Sequence, residues 1–111
     1  MADRPPEAGA TAIAQLERCA TAVPNDVELI ADLARGYESA GRTTDAEAAY
    51  QRALAIDPEY ADVHARLAAL LLARGEFAQA KAHAEAALRL QPNRRSILDL
   101  LARASQAEAA R

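Results

Sequence analysis

The side chains in this sequence from which catalytic or metal sites are commonly built are few. There are two histidines, His64 and His83, one cysteine, Cys19, and sixteen carboxylates scattered along the chain. A histidine can serve as a base or a metal ligand and a cysteine as a nucleophile, but each needs partners at fixed offsets. His64 and His83 stand 19 residues apart, with no H-E-x-x-H or Cys-x-x-Cys spacing around them. Four glycines in the whole chain are too few for a phosphate-cradling loop, and no Ser-His-Asp arrangement is legible. The structural reading is therefore preferred for each: His64 is a buried or half-buried packing residue, Cys19 a packed thiol, and the carboxylates a solvated surface. No cofactor, metal or catalytic residue is expected, and the chain reads as a non-enzyme.

The elements that position these residues follow from composition. Hydrophobic residues make up 51% of the 111, yet only 4% are aromatic, so the core must be built from Ala, Leu, Ile and Val. Strong helix formers dominate and good strand formers are scarce, which predicts an all-α chain. A net charge of -3, with no run of basic residues, offers nothing to a nucleic acid. Nowhere do 18 uncharged apolar residues run together, so no membrane span is expected. The start, Met1-Ala-Asp-Arg-Pro-Pro-Glu, lacks the apolar stretch of a secretory signal, and a lone cysteine forms no internal disulfide. A cytoplasmic location is the expectation.

One internal period organises the chain. Ala53-Leu54-Ala55-Ile56-Asp57-Pro58 returns as Ala87-Leu88-Arg89-Leu90-Gln91-Pro92, an offset of 34 residues. Gly41 aligns with Gly75, Ala46 with Ala80, Leu33 with Leu67, and Ala34 with Ala68, which marks two units at 27–60 and 61–94. Pro24 precedes Pro58 by the same offset, and Ala12 and Cys19 fall where Ala46 and Ala53 do. Residues 10–26 thus read as a half unit, 95–110 as a closing helix, and 1–9 as a flexible lead-in. Six helices are predicted, at 10–22, 27–40, 44–57, 60–74, 77–91 and 95–110, with 10–111 as one domain.

The small residues Ala34, Ala46, Ala53, Ala68, Ala80 and Ala87 belong where two helix backbones approach closely, since bulk there costs about 1–3 kcal/mol. Leu33, Tyr37, Tyr50, Leu67 and Leu71 form the large apolar stripe. Asn25 with Glu28, and Thr44 with Glu47, fit capping boxes. Gly41 and Gly75 end helices in a left-handed residue, and Pro58 and Pro92 stop the second helices.

These positions resemble the tetratricopeptide repeat, a 34-residue helix-turn-helix unit with a W-x2-L-G-x2-Y, A-x3-F and P pattern. The first match is Ile30-x2-Leu33-Ala34-x2-Tyr37, Gly41, Ala46-x3-Tyr50-x2-Ala53 and Pro58. The second is His64-x2-Leu67-Ala68-x2-Leu71, Gly75, Ala80-x3-Ala84-x2-Ala87 and Pro92. Departures are Ala84 in place of a large ring, Thr43 where the second unit has Phe77, and His64 in the Trp slot. The resemblance implies a right-handed α-solenoid of antiparallel helix pairs whose first helices line an inner wall.

By that resemblance the wall would carry Glu28, Ala31, Arg35, Glu38 and Ser39 from the first unit. It would continue with Asp62, Ala65, Ala69, Leu72 and Ala73, and end with Ser96, Asp99, Leu100 and Arg103. A shallow apolar middle ringed by both charges would receive a peptide or helix of another protein. Some members grip a C-terminal carboxylate with a clamp of Lys, Asn and Arg. The matching places here hold Ala31 with Arg35, Arg66, and Ser96 with Leu100, so the clamp is broken. Arg35 and Arg66 then either meet a single carboxylate or pair along their own helices with Asp32, Glu38 or Asp62. The function implied is an adaptor or scaffold that binds proteins. Two alternatives stand beside it: a self-assembling form that stacks head to tail as a homo-oligomer, since each end helix lacks a partner, or an adaptor segment of a larger enzyme or secretion component.

Overall fold

The computed structural model describes residues 8–110, with side chains from Ala12 onward. It contains α1 (Ala8–Ala22), α2 (Val27–Ser39), α3 (Thr43–Ile56), α4 (Ala61–Ala73), α5 (Phe77–Leu90) and α6 (Arg95–Ala109), and among the described residues there is no strand. Each helix boundary lies within two residues of its predicted place. Ala8 and Gly9, expected to belong to a lead-in, lie in α1; the rest of that expected segment, residues 1–7, lies outside the described residues. The chain divides into two compact units, with the boundary in sequence between Ile56 and Asp57.

In the first unit α2 packs against both α1 and α3. Ile30, Leu33, Ala34 and Tyr37 of α2 are buried, as are Ala46, Ala49, Tyr50 and Ala53 of α3 and Ile13 and Ala20 of α1. Gly36 faces α1, where a Cβ would make only ordinary contacts, 3.4 Å from Ile13 Cγ1 and 3.7 Å from Leu16 Cδ1. The start of α2 is capped one residue later than predicted. Asp26, not Asn25, takes the N-cap position, and its carboxylate accepts from the Leu29 amide at 3.2 Å. Thr44 does not cap α3, because the helix begins at Thr43 and places Thr44 inside its first turn.

The second unit repeats the hairpin with α4 and α5 and adds α6, which touches both. Val63, Leu67, Ala68, Leu70 and Leu71 of α4 are buried with Ala80, Ala84 and Ala87 of α5 and with Ile97 and Ala104 of α6. Both predicted glycine stops are realised, with φ of +78° at Gly41 and +83° at Gly75. At the first, the Arg42 amide donates to Tyr37 O at 2.8 Å and the Gly41 amide to Glu38 O at 3.0 Å. At the second, the Glu76 amide donates to Leu71 O at 2.9 Å and the Gly75 amide to Leu72 O at 3.1 Å. These paired bonds satisfy carbonyls that a helix end otherwise leaves open. Nothing lies within 4 Å of a Cβ built at either glycine, so the backbone angle alone demands them.

Candidate partner-binding surface

In the first unit the predicted wall residues on α2 divide by burial. Glu28 is exposed and Arg35 half-buried, whereas Ala31 has no accessible surface and cannot touch a partner. Its burial corrects the expectation that it lines the wall. Arg35 pairs with Asp32 one turn back on the same helix. Glu38 accepts from the hydroxyl of Tyr50 at 2.7 Å, a bond that ties α2 to α3 over a fully buried ring. Tyr37 donates to the carboxylate of Glu17 on α1 and lies under the Arg42 guanidinium, 4.6 Å from the ring centroid. Burial first, and then the Glu17 carboxylate, push the Tyr37 phenol up to about 12. Leu33, Tyr37, Asp45, Ala48, Ala49 and Arg52 border a small depression of about 180 Å³ between α2 and α3.

In the second unit Ala65 also departs from expectation. It is buried in a cluster with Ala87 and Ile97, with Leu88 and Leu100 packed against it. An alanine at this position lies against the following helix, α6, and so fills the seam between them. Ala69, Leu72 and Leu100 remain half-buried, and Arg66, Asp99 and Arg103 are exposed. The positions 62, 66, 69 and 72 recur at three- and four-residue spacing and so share one face of α4. Leu100 and Arg103 share a face of the adjoining α6, one turn apart.

Asp62 is braced rather than free. It accepts from Arg66 at 3.4 Å on its own helix and from Arg94 at 3.0 Å in the turn before α6. Burial works against its ionisation, but the hydrogen bond from Arg94 and the charges of Arg66 and Arg94 outweigh it, leaving the carboxyl below its ordinary 3.8. Lys81 of α5 reaches Glu108 of α6 at 3.4 Å.

Two features escaped the sequence. The first is a depression of about 620 Å³ lined by Glu85, Leu88, Arg89 and Leu101. An apolar excess in α6 was its only sequence signal. The second is the meeting of the histidines. His64 and His83 are 19 residues apart in sequence, yet their Nδ1 atoms are 3.1 Å apart, and His64 Nε2 lies 2.8 Å from Pro58 O. Both rings are half-buried, as a packing role for His64 required. Cys19 overturns its own expectation: it is exposed, because among the described residues no helix covers the side of α1 that bears it. The described residues hold no group of three or more His, Cys, Asp or Glu placed to bind a metal ion, and no helix long and apolar enough to cross a membrane.

Comparison with known proteins places this geometry. A family model described as "Tetratricopeptide repeat" matches residues 37–104. The first tetratricopeptide domain of Spaghetti (RPAP3), solved with the HSP90 peptide SRMEEVD, is similar with a TM-score of 0.86 and 27% identity, over 91% of this chain and 80% of that one. The first such domain of human RPAP3 gives 0.84 and 26%, over 92% and 80%. The TPR2B domain of yeast Sti1, solved as a pHsp70 complex, shares the fold at 0.79 and 22%, over 88% and 83%. A search of curated proteins finds no match.

Proposed function

This chain belongs to the tetratricopeptide repeat family, and from that membership we propose that it holds a peptide or helix of a partner protein on its first-helix faces and performs no catalysis. The carrying observation is the face of α4 and α6, where half-buried Ala69, Leu72 and Leu100 leave low apolar relief beside Arg66, Asp99 and Arg103. Such a surface suits a segment with alternating apolar and charged side chains, which enter the middle and pair at the edges. In the first unit by itself, α2 carries the polar Glu28, Arg35 and Glu38, of which Arg35 is paired with Asp32 and Glu38 with the Tyr50 hydroxyl. The similar RPAP3 domain bound to the peptide SRMEEVD supports the reading that a short segment of a protein is the ligand. That peptide is not the ligand proposed here, because the clamp positions hold a fully buried Ala31, and Ser96 with Leu100. We expect affinity capture from the native lysate to yield a set of proteins that Leu72→Glu and Arg35→Glu each deplete. An unchanged set in both would move the candidate to the Leu88 and Leu101 depression.

A second reading, assembly of copies head to tail, rests on the end helices. Ala12 and Cys19 of α1 are exposed where the equivalent Ala46, Ala53, Ala80 and Ala87 are buried, and Leu98 of α6 is 46% exposed where the equivalent Ile30 is fully buried. Each end thus shows a packing side without cover among the described residues. Sedimentation across a wide concentration range tests it: mass growing with concentration supports assembly, and a single monomer boundary throughout ends it.

A further inference from the structure

Building on the head-to-tail reading, we propose that a second copy of this chain lays its α1 on α6, so that the first helix of one molecule and the last of another form a complete hairpin. By the 34-residue offset α6 is a first helix. Its Leu98, Leu101, Ala102 and Ser105 stand where Ile30, Leu33, Ala34 and Tyr37 stand in α2. By the same offset α1 is a second helix, with Ala12, Leu16 and Cys19 in the places of Ala46, Tyr50 and Ala53 of α3. The two helices are therefore the two halves of one hairpin. Burial agrees with this. Ala34 and Ala68, at the close approach of two backbones, are buried, whereas the equivalent Ala102 is exposed together with Leu98. Ala46 and Ala53 are buried, whereas the equivalent Ala12 and Cys19 are exposed.

The chemistry of the two faces matches. Ala12, Gln15, Leu16 and Cys19 share one side of α1, and Leu98, Leu101, Ala102 and Ser105 share one side of α6, by their three- and four-residue spacing. Neither side carries a charge, in a chain of which 26% is charged, and an uncharged, partly apolar face of this kind marks a surface that is covered in use. Leu101 also lines the depression of about 620 Å³ between α5 and α6, which leaves room for side chains of an added helix. The complete hairpins set the register. His64 meets His83 in one, and Glu38 meets Tyr50 in the other. Carried over by the offset, these contacts become Leu98 against Gln15 of the second copy, and Gln106 against Leu16 of the second copy. Neither pair buries a charge. The contact joins unlike surfaces, so each added copy presents the same two faces again, and the assembly grows as a filament or closes into a ring.

The test mixes two forms of the full chain, both carrying Cys19→Ala to remove the exposed thiol, one with Gln15→Cys and the other with Leu98→Cys. A short bismaleimide is expected to link the two forms into a covalent pair, and to leave them unlinked when Arg103→Cys, on another side of α6, takes the place of Leu98→Cys. Ala102→Tyr sets bulk at the close approach between copies, and because Ala102 is exposed in the single chain the variant keeps its fold. It is expected to abolish the growth of mass with concentration in sedimentation. Growth of mass without a link between positions 15 and 98, growth undiminished in Ala102→Tyr, or equal linking through Arg103→Cys overturns this pairing while the head-to-tail reading stands. A single monomer boundary at every concentration ends both.

Discussion

The α2–α3 and α4–α5 hairpins share a backbone plan and small-residue frame, but they fill the frame differently. In α3 a fully buried Tyr50 occupies the large-ring position and Thr43 the position seven residues earlier; in α5 the order is reversed, with Ala84 and Phe77. Seven residues are two helical turns along one face, so the second hairpin moves its ring along the helix rather than losing it. Polar ties differ too. Tyr50 reaches across to Glu38, whereas α4 and α5 meet through His64 and His83. The period conserves where backbones touch and leaves the means of filling the remaining space to each hairpin.

The largest expected effect breaks that comparison directly. Tyr50→Ala removes a buried ring with no nearby substitute and should cost about 3–5 kcal/mol. Ala84→Tyr restores the missing ring to a hairpin already filled, and should cost about 1–3 kcal/mol through overpacking. Denaturant melts of both variants, and of Ala84→Tyr with Phe77→Thr, measure it. Recovery in the double variant would sharpen the exchange of positions; additive losses would break it.

Next in size are the two glycine stops, which the hairpins share. Gly41→Ala and Gly75→Ala should each cost about 1–2 kcal/mol, because strain arises from the left-handed angle and not from neighbouring atoms. Unequal costs in thermal unfolding would show that space also matters at one of them.

The smallest effects are electrostatic and separate the units by pH. The neutral Tyr37 phenol is favoured in the fold, so its contribution is complete below pH 10.0 and is lost as pH rises through about 12. Asp62 has the opposite sign: its ionised form is favoured, so its contribution is present above 3.8 and is lost as pH falls through its lowered value. Tyr37→Phe should flatten the alkaline limb of stability against pH, and Asp62→Asn the acid limb. Because Asp62 is partly solvated, its effect should stay below about 1 kcal/mol.

The fold was legible because close approach of helices admits only small side chains, and their recurrence at a fixed offset survives every change in what surrounds them. Helix ends were legible where a residue type is forced, as at Gly41 and Gly75, and shifted where neighbours compete: Asn25 and Asp26 can each cap, and the structure uses Asp26. The surface was read less well. Alanine suits both a solvated helix face and a tight seam, so Ala31 and Ala65 gave no sign of their burial. Cys19 erred the other way, since its place in the frame implied a cover that no described helix provides. The histidine contact was hidden by sequence distance, because helix rotation, not spacing, turns the two rings together.

The central claim, that a partner lies on the first-helix faces, is tested most directly by site-specific photocrosslinking in the native lysate. A photoreactive side chain at Leu72 or Leu100 should capture a discrete partner band that the same group at Leu88 or Leu101 does not. Crosslinks confined to Leu88 and Leu101 would contradict the account and place the partner on the α5–α6 depression instead.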